Sequence, residues 1–223
     1  MRGLFVTGTD TGVGKTEVAA AIVAGWRARG LDVGAMKAAQ SGVEDGTGSD
    51  ADRLREAAGG GDPPELVCPY TLAAPLAPAV AARLAGVEIT LDRMLACAAE
   101  LARRHAAVVV EGAGGLLVPL AEGHTCADLA VALGLPVLVV ARAGLGTVNH
   151  TALTCEALRA RGLAVAGVVL NRVVAVADPS EPHNAAEIER LAGVRVIAAL
   201  PHEPDPRMRA RLLADRLVPA VQF

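Results

Sequence analysis

The sequence is poor in aromatic residues. Its 223 residues include one Trp, one Tyr and two Phe, which are Trp26, Tyr70, Phe5 and Phe223. Proteins that bind single-stranded nucleic acid usually stack the bases on aromatic side chains. The formal net charge of −3 and the pI near 6.0 also exclude the basic surface that binds duplexes. The composition therefore argues against a nucleic-acid partner.

Closely spaced cysteines and long apolar runs are missing as well. Cys68, Cys97, Cys126 and Cys155 are each 29 residues apart and share no surrounding pattern, so they indicate neither a C-x-x-C site nor a repeat. No signal-peptide pattern is present, and Gly, Arg, Glu or His interrupts each apolar run before it reaches membrane-spanning length. We therefore expect free thiols, a cytoplasmic protein and no membrane partner.

Apolar residues are abundant but fall into short runs. They make up 52% of the sequence, which excludes a disordered chain. Val-rich runs follow Ala-rich helical segments along the chain, a pattern typical of a parallel sheet covered by helices on both faces. The length suits one domain. We expect a single α/β domain over residues 1–223, with a mostly parallel sheet.

The predicted elements can be placed along the chain. Strands are expected at residues 4–6, 31–36, 107–111, 136–141, 165–171 and 194–200. Helices are expected at residues 14–30, 50–58, 90–105, 128–133, 147–161, 185–191 and 207–213, with Leu153 and Leu158 pointing inward. Residues 42–49 are expected to form a mobile loop and residues 112–115 a further loop. Residues 65–80 are expected to be irregular until a short Ala-rich helix begins.

The most specific motif is a glycine-rich turn near the amino terminus. Residues 7–16 read Thr-Gly-Thr-Asp-Thr-Gly-Val-Gly-Lys-Thr, between a strand and a helix. Free backbone N–H groups at a helix start bind anions, and glycine lets the backbone close around phosphate oxygens. Lys15 would then meet the terminal phosphates and Thr16 would ligate Mg²⁺. The alternative, a turn that merely links strand to helix, fits Gly-Lys-Thr at a helix start less well. The motif predicts a P-loop fold.

The loop departs from the common phosphate-binding pattern in its length. Four residues separate the glycines in G-x-x-x-x-G-K-[ST], whereas five separate Gly8 from Gly14. The longer loop predicts that Thr11 and its neighbours lie near the γ-phosphate.

Three acids compete as metal ligands. Glu111 ends a Val-rich strand, whereas Asp50 and Asp52 begin a helix. Mg²⁺ prefers one or two carboxylates together with waters and phosphate oxygens, so Thr16, Asp50 and Glu111 form a sufficient set. Acids in a first helical turn are also favoured by the helix dipole, which gives Asp50 and Asp52 a purely structural explanation. The sequence leaves the choice between these two open.

Polar side chains end two other predicted strands. Lys37 lies four residues before Ser41, and both would face the same crevice as Lys15. Because Lys37 is a second lysine near the phosphates, it indicates that the transferred group meets an anionic acceptor. Without Lys15 nearby, Lys37 would indicate only a solvated strand end. Asn171 ends a later strand, and its amide suits the edge of adenine. Residues 144–150 form a loop that leads into a helix start, and the N–H groups there suit a carboxylate or phosphate. The alternative is a purely structural loop with a Thr N-cap.

These segments together resemble the dethiobiotin synthetase family. That family's P-loop has the same five-residue gap, and the matching segments span almost the whole chain: residues 7–16, 37–42, 49–50, 69–71, 110–115, 145–150 and 167–171. The resemblance implies an ATP-dependent cyclo-ligase of biotin biosynthesis, which converts ATP, CO₂ and 7,8-diaminononanoate to dethiobiotin, ADP and phosphate. It implies a carbamate and a carbamic–phosphoric anhydride as intermediates, Mg²⁺ as cofactor and a homodimer.

The resemblance also assigns expected roles to individual residues. The residues expected in catalysis are Lys37, Lys15, Thr11 and Ser41. Those expected to bind ATP are Thr11, Gly12, Val13, Gly14, Lys15, Thr16, Glu111, Gly112, Ala113, Gly114, Asn171, Arg172, Pro201, His202 and Glu203. Those expected to bind the substrate are Lys37, Ser41, Gly114, Val118, Leu145, Gly146, Thr147, Val148 and Asn149. The loop from Leu145 to Asn149 is expected to reach the partner subunit's site and to hold the substrate carboxylate there.

Two alternatives and one departure accompany this resemblance. A cobyrinate amidase-like synthetase opens with a similar motif, but its glutaminase domain has no room in this chain. A partitioning ATPase of the MinD kind carries a second lysine inside the P-loop, and residues 9–13 contain none. The departure is Ala38, which stands where the family usually has proline and is expected to loosen the segment that carries Ser41.

Overall fold

A parallel β-sheet forms the centre of the molecule. The structure is a computed structural model, which describes residues 1–43, 48–217 and 219. Its strands, in chain order, are β1 (Gly3–Gly8), β2 (Val33–Lys37), β3 (Gln40–Ser41), β4 (Thr71–Leu72), β5 (Ala107–Gly115), β6 (Pro119–Ala121), β7 (His124–Thr125), β8 (Val137–Arg142), β9 (Val165–Asn171) and β10 (Val196–Leu200). Six of them form one sheet in the order β10-β9-β8-β1-β5-β2, and every pair in it is parallel.

Helices connect these strands and cover the sheet. They are α1 (Lys15–Arg27), α2 (Asp50–Ala57), α3 (Pro64–Val67), α4 (Pro78–Ala85), α5 (Leu91–Arg104), α6 (Cys126–Leu133), α7 (Thr147–Arg159), α8 (Glu181–Ala192) and α9 (Pro206–Leu217). Within the described ranges, none is long and apolar enough to cross a membrane.

The core lies on both faces of the sheet. Leu4 and Val6 of β1 pack into the cluster that includes α1, whereas Phe5 packs into the cluster on the opposite face. All three side chains are fully buried. Successive strand residues point to opposite faces, so a sheet covered twice requires apolar residues at every position. This explains why the strands read as unbroken Val-rich runs, and the predicted fold class is confirmed.

The structure corrects three details of the predicted elements. β5 continues through residues 112–115, where a loop was predicted, because Gly115 pairs with Gly8 of β1. The stretch at residues 65–80 contains α3 and β4 before the expected Ala-rich helix, which is α4, rather than only irregular structure. On α7, Leu158 is fully buried as predicted, but Leu153 is 56% exposed, so the inward prediction for Leu153 was wrong. Of the predicted mobile loop at residues 42–49, residues 44–47 lie outside the described part of the chain.

The strand order opens a crevice at one edge of the sheet. The chain places β2 and β5 on one side of β1, and β8, β9 and β10 on the other. In open parallel sheets, ligands bind beyond the carboxyl ends of the strands where the order reverses in this way. β1 ends here at Gly8, β2 at Lys37, β8 at Arg142 and β9 at Asn171.

Candidate active site

The glycine-rich loop joins β1 to α1 at the bottom of this crevice. Gly14 immediately precedes α1 and has a φ of 90°, a left-handed conformation that favours glycine. A side chain there would also collide with Asn171, whose Nδ2 lies 2.1 Å from the position of a Cβ. Because glycine has no side chain to cap the helix, the first N–H groups of α1 are left for an anion.

Lys15 is buried beside this loop. Its Nζ donates a hydrogen bond to the carbonyl oxygen of Asp10, at 2.9 Å. Burial lowers the pKa of Lys15, against the attraction of the Glu111 carboxylate. Asp10 also orders the loop, because its Oδ1 accepts the N–H of Thr11 at 2.7 Å and its Oδ2 accepts from Arg142 at 2.5 Å. The loop is therefore held in shape from within and from β8.

Lys37 stands between two carboxylates. Its Nζ lies 2.5 Å from Oε1 of Glu111 and 2.8 Å from Oδ2 of Asp50. The same Oε1 accepts a hydrogen bond from the hydroxyl of Thr16 at 2.9 Å. The four side chains come from β2, β5, α2 and α1, and they form one cluster, here called the Lys37 cluster (Thr16, Lys37, Asp50 and Glu111).

Attraction between opposite charges sets the pKa values of Lys37 and Asp50 in this cluster. Burial acts to lower the pKa of Lys37, but the carboxylates of Glu111 and Asp50 outweigh it and hold that pKa above its usual value. Burial also acts to raise the pKa of Asp50, yet the Lys37 ammonium outweighs it and holds that pKa below its usual value. Lys37 therefore stays protonated and Asp50 stays ionised next to the phosphate-binding loop.

The donor atoms of the Lys37 cluster fit Mg²⁺. Glu111 is completely buried and its Oε2 has no hydrogen-bond partner among the described residues, an arrangement that is costly without a ligand. Asp50 and the Thr16 hydroxyl supply further oxygens of the type that Mg²⁺ prefers. No group of three or more His, Cys, Asp or Glu with metal-binding geometry occurs in the described residues. Mg²⁺ does not require one, because it binds through one or two carboxylates plus phosphates and water.

The structure separates the two candidate aspartates. Asp52 is engaged in the capping box of α2, where its Oδ2 accepts both the N–H and the hydroxyl of Ser49 at 3.0 Å. Asp50 instead points to Lys37. Geometry therefore favours Asp50 as the ligand and gives Asp52 a structural role.

A cavity of about 320 Å³ brings all four predicted catalytic residues together. The predicted site residues that line it are Thr11, Gly12, Gly14, Lys15, Thr16, Lys37, Ser41, Asp50, Glu111, Ala113 and Gly114. The Ser41 hydroxyl donates to the carbonyl oxygen of Leu76 at 2.7 Å. Gly114, with a φ of 59°, lies so close to Val118 that a Cβ would be 2.7 Å from its Cγ2. The neighbouring Leu117 is 53% exposed.

A second cavity, of about 600 Å³, adjoins the other side of the P-loop. Thr11, Gly12 and Val13 line it together with Asn171, Arg172 and Leu145. The amide of Asn171 donates to the carbonyl oxygen of Val13 at 3.0 Å, so this residue also braces the P-loop. Pro201, His202 and Glu203 follow β10 at the same edge of the sheet, where Arg172 donates its N–H to the carbonyl oxygen of Leu200 at 3.0 Å.

The predicted substrate loop lies outside the cavity that holds the Lys37 cluster. Leu145 is 79% exposed, Asn149 is exposed, and Gly146 has a φ of 89° just before α7. Thr147 is buried at the start of that helix, and Val148 is half-buried. Within one chain, therefore, residues 145–149 do not line the cavity of Lys15 and Lys37, and Leu145 borders only the second cavity.

Ala38 does not loosen the segment after β2. Its N–H donates to the carbonyl oxygen of Glu111 at 2.9 Å, and the residue is fully buried. Proline has no N–H and could not make this bond. The alanine therefore adds a link between β2 and β5 beside the Lys37 cluster, contrary to the expectation from the sequence.

Three residues that line or support the site were not predicted as site residues: Gln40, Asp10 and Arg142. Gln40 and Asp10 lie within the matching segments, but their contacts join residues that are far apart in the sequence. Arg142 directly follows the strand predicted at residues 136–141 and ends β8 in the structure, and no motif in the sequence includes it. No local pattern reports such contacts.

Comparisons with known proteins show the family of this chain. A family model described as an AAA domain matches residues 2–208. A protein of Anaeromyxobacter dehalogenans (strain 2CP-C), named ATP-dependent dethiobiotin synthetase BioD, is 66% identical over 223 residues, which is 100% of both chains. A protein of the same name from Bacillus subtilis subsp. natto is 39% identical over 202 residues, 90% of this chain and 87% of that one. This chain belongs to the dethiobiotin synthetase family.

Membership in the dethiobiotin synthetase family confirms the resemblance found in the sequence and makes the chain a member of a family of ATP-dependent enzymes. Among solved structures, a ParA family ATPase from Chlorobium tepidum TLS matches with a TM-score of 0.61, at 15% identity, over 98% of this chain and 97% of that one. The MinC:MinD cell division complex of Aquifex aeolicus matches with the same TM-score and identity, over 99% and 94%. These two matches show a shared fold only.

Proposed function

We propose that this chain is a cyclo-ligase that forms dethiobiotin from ATP, CO₂ and 7,8-diaminononanoate. The observation that carries the proposal is the position of Lys37, whose ammonium stands between Glu111 and Asp50 and lines one cavity with Lys15 of the P-loop. Two buried ammonium groups in one small cavity suit a reaction in which an anionic acceptor meets a terminal phosphate. The proposal takes residues 1–223 as one catalytic domain in the cytoplasm.

ATP is proposed to bind along the P-loop and the edge of the sheet. Its phosphates would accept hydrogen bonds from the N–H groups of residues 12–16 and from the ammonium of Lys15, beside Thr11 and residues 111–114 of β5. The base would occupy the second cavity, near Asn171, Arg172 and the segment 201–203. Thr16, Asp50 and Glu111 would hold Mg²⁺, which supplies charge neutralisation and orients the phosphate oxygens when bound.

The acceptor is proposed to be a carbamate. One amine of the substrate attacks CO₂, a C–N bond forms, and the amine nitrogen loses a proton. Lys37, Ser41 and Thr11 would hold the resulting anion in line with the γ-phosphate. Positioning of this kind supplies much of the rate in phosphoryl transfer. Gly114 and Val118 would border the aliphatic chain.

Ring closure would then follow phosphoryl transfer. A carbamate oxygen bonds to the γ-phosphorus as the bond to ADP breaks, which gives a carbamic–phosphoric anhydride. The second amine attacks the carbonyl carbon, phosphate leaves with the carbon–oxygen bond electrons, and the amine loses its proton. Lys15 and Lys37 stabilise the negative charge on the transferred group and on the departing phosphate.

A homodimer is proposed to complete the site. The loop from Leu145 to Asn149 is exposed in one chain, and Leu153 and Leu191 expose apolar surface at a groove of about 680 Å³ between α7 and α8. Pairing through this face would bury that surface and carry the loop to the partner subunit. There Asn149 and the N–H groups of the first turn of α7 would bind the substrate carboxylate.

Product formation tests the reaction. Purified protein is supplied with ATP, Mg²⁺, ¹³C-bicarbonate and 7,8-diaminononanoate, and the products are identified by mass spectrometry. Labelled dethiobiotin with equal amounts of ADP and phosphate is expected, and omission of any component should abolish it. Folded protein that binds ATP but forms no dethiobiotin would contradict the proposal.

Mixed dimers test the shared site. Lys37→Gln and Asn149→Ala subunits are each expected to be inactive, because each damages both sites of its own dimer. In a hybrid of the two, one site combines an intact Lys37 with an intact loop from the partner, so activity should return on mixing. If the loop served its own chain, every site in the hybrid would carry one defect and activity would stay lost.

A further inference from the structure

We propose that Gln40 is a positioning residue, which holds Asp50 against the Lys37 cluster and so tunes the affinity of the site for Mg²⁺. The inference rests on the proposed function, in which Asp50 is a metal ligand. Gln40 borders the cavity of the Lys37 cluster, but its side-chain amide is engaged by Ala51 and Thr71. It acts through the first turn of α2, on which Asp50 lies.

The side chain of Gln40 joins three segments of the chain. Gln40 is buried on β3, and its backbone N–H donates to the carbonyl oxygen of Tyr70 at 2.9 Å. Its side-chain Oε1 accepts the N–H of Ala51 in α2 at 3.2 Å, and its Nε2 donates to the Thr71 hydroxyl on β4 at 3.0 Å. A longer contact of 3.4 Å reaches the hydroxyl of Ser49.

These contacts fix the position of the first turn of α2. The first N–H groups of a helix need partners from outside the helix. Ser49 caps the N–H of Asp52 at 3.2 Å, whereas the N–H of Ala51 is satisfied by Gln40. The first turn is therefore anchored to the β3–β4 pair by the amide of Gln40, and not only by its own capping box.

Asp50 needs such an anchor because it is not held by burial. Its side chain is 46% exposed, whereas that of its partner Lys37 is 6% exposed. Asp50 is the first residue of α2 and directly precedes Ala51, so a shift of the first turn moves its carboxylate away from Lys37 and the P-loop. Residues that orient metal ligands typically change metal affinity or activity about 10–100-fold when they are removed.

A purely structural role for Gln40 makes a different prediction. In that case its loss would lower the stability of the fold, but the Mg²⁺ dependence of nucleotide binding would stay the same. The two roles are therefore separated by a binding measurement, which does not depend on turnover.

The experiment compares Gln40→Met with Thr71→Val. The methionine is similar in length but offers neither the donor nor the acceptor of the amide. Thr71→Val removes one partner of Gln40 and leaves its bond to Ala51. Binding of a non-hydrolysable ATP analogue is followed by calorimetry as a function of Mg²⁺. Gln40→Met is expected to raise the half-saturating Mg²⁺ concentration about tenfold, whereas Thr71→Val should leave it close to that of the original protein.

A double variant tests whether Gln40 acts through Asp50. If it does, Gln40→Met should have no further effect on the Mg²⁺ dependence in an Asp50→Asn background. An unchanged Mg²⁺ dependence in Gln40→Met, or an equal loss in both backgrounds, would overturn the inference. If Gln40→Met does not fold, Gln40→Asn replaces it, since its amide is one methylene too short to reach Ala51.

Failure of the proposed function would look different from failure of this inference. Protein that forms no dethiobiotin but binds the analogue with Mg²⁺ would contradict the reaction, and the role of Gln40 would still be decided by the binding data. Protein that forms dethiobiotin, with the same Mg²⁺ dependence in Gln40→Met, would contradict only the inference.

Discussion

Lys37 and Glu111 are register partners on the adjacent parallel strands β2 and β5, and their charged groups meet at 2.5 Å. Both side chains are almost completely buried, and the charge of each partly offsets the cost of burying the other. The pair lies at the carboxyl end of the sheet beside the P-loop. The register of two core strands thus sets the distance between the two groups at the centre of the proposed reaction.

Lys37→Arg should lower kcat by about 100-fold or more, while the fold and ATP binding survive. Arginine keeps the positive charge that Glu111 and Asp50 require, but its planar group places its donors differently. Misplacement by about 1 Å is enough for a loss of about 100-fold in kcat. Steady-state kinetics and calorimetric ATP binding measure the two effects separately.

Lys37→Gln provides the comparison. It removes the only ion-pair partner that Glu111 has among the described residues, which should lower the free energy of unfolding by about 3–5 kcal/mol in the absence of Mg²⁺. Denaturant unfolding measures this loss. Unchanged turnover in either variant would remove Lys37 from the site.

Asp50→Asn and Asp52→Asn should separate the two aspartates at the start of α2. Asp50→Asn removes a proposed metal ligand, so the Mg²⁺ concentration for half-maximal activity should rise at least about tenfold. Asp52→Asn should leave the Mg²⁺ requirement unchanged, because Asp52 caps the helix with Ser49. Its effect should be confined to stability, at about 0.5–2 kcal/mol. The reverse pattern would make Asp52 the ligand.

Gly114→Ala should damage the site, whereas Gly115→Ala should be tolerated. Gly114 has a φ of 59°, and a Cβ there would lie 2.7 Å from Val118 Cγ2 and 3.3 Å from the Thr11 hydroxyl. Strain of this kind costs about 1–3 kcal/mol, and relief of the contacts would move Thr11. We expect lower thermal stability and a higher KM for ATP. At Gly115 the nearest atoms are 3.6 Å away, so equal losses in both variants would contradict this explanation.

His105 should make stability depend on pH at the opposite edge of the sheet. Its ring nitrogens each lie 2.8 Å from a carboxylate, Nδ1 from Asp32 and Nε2 from Asp62, while Arg27 and Arg104 pair with the same acids at 3.6 and 3.7 Å. Burial acts to lower the pKa of His105, but the hydrogen bonds to Asp32 and Asp62 outweigh it and raise the pKa above 6.5.

The folded protein therefore binds this proton more tightly than the unfolded chain does. The resulting stabilisation is complete below about pH 6.5 and is lost as the pH rises through the raised value. His105→Gln should lower the free energy of unfolding by about 1–3 kcal/mol at pH 6, with a smaller difference at pH 8. Urea unfolding at both pH values measures this, and a pH-independent difference would contradict the assignment.

Local patterns were sufficient for the P-loop and for most of the sheet. The prediction of a strand at residues 165–171 coincides with β9, and a helix was predicted to begin within the Gly-Lys-Thr triplet where α1 begins. Such signals depend on the side chains of adjacent residues, such as runs of buried valine or glycine before a helix. The identity of the family followed from the same short motifs and their spacing.

Contacts between distant segments could be decided only by the folded chain. Lys37 and Glu111 are 74 residues apart in the sequence, and the register of β2 on β5 brings them together. The choice of Asp50 over Asp52 depends on which carboxylate the capping box occupies. The bond from Ala38 to Glu111 and the bond from Gln40 to Ala51 have no local signature either. Side-chain chemistry along the chain thus predicted the kind of site, whereas strand register and helix placement decided which atoms meet in it.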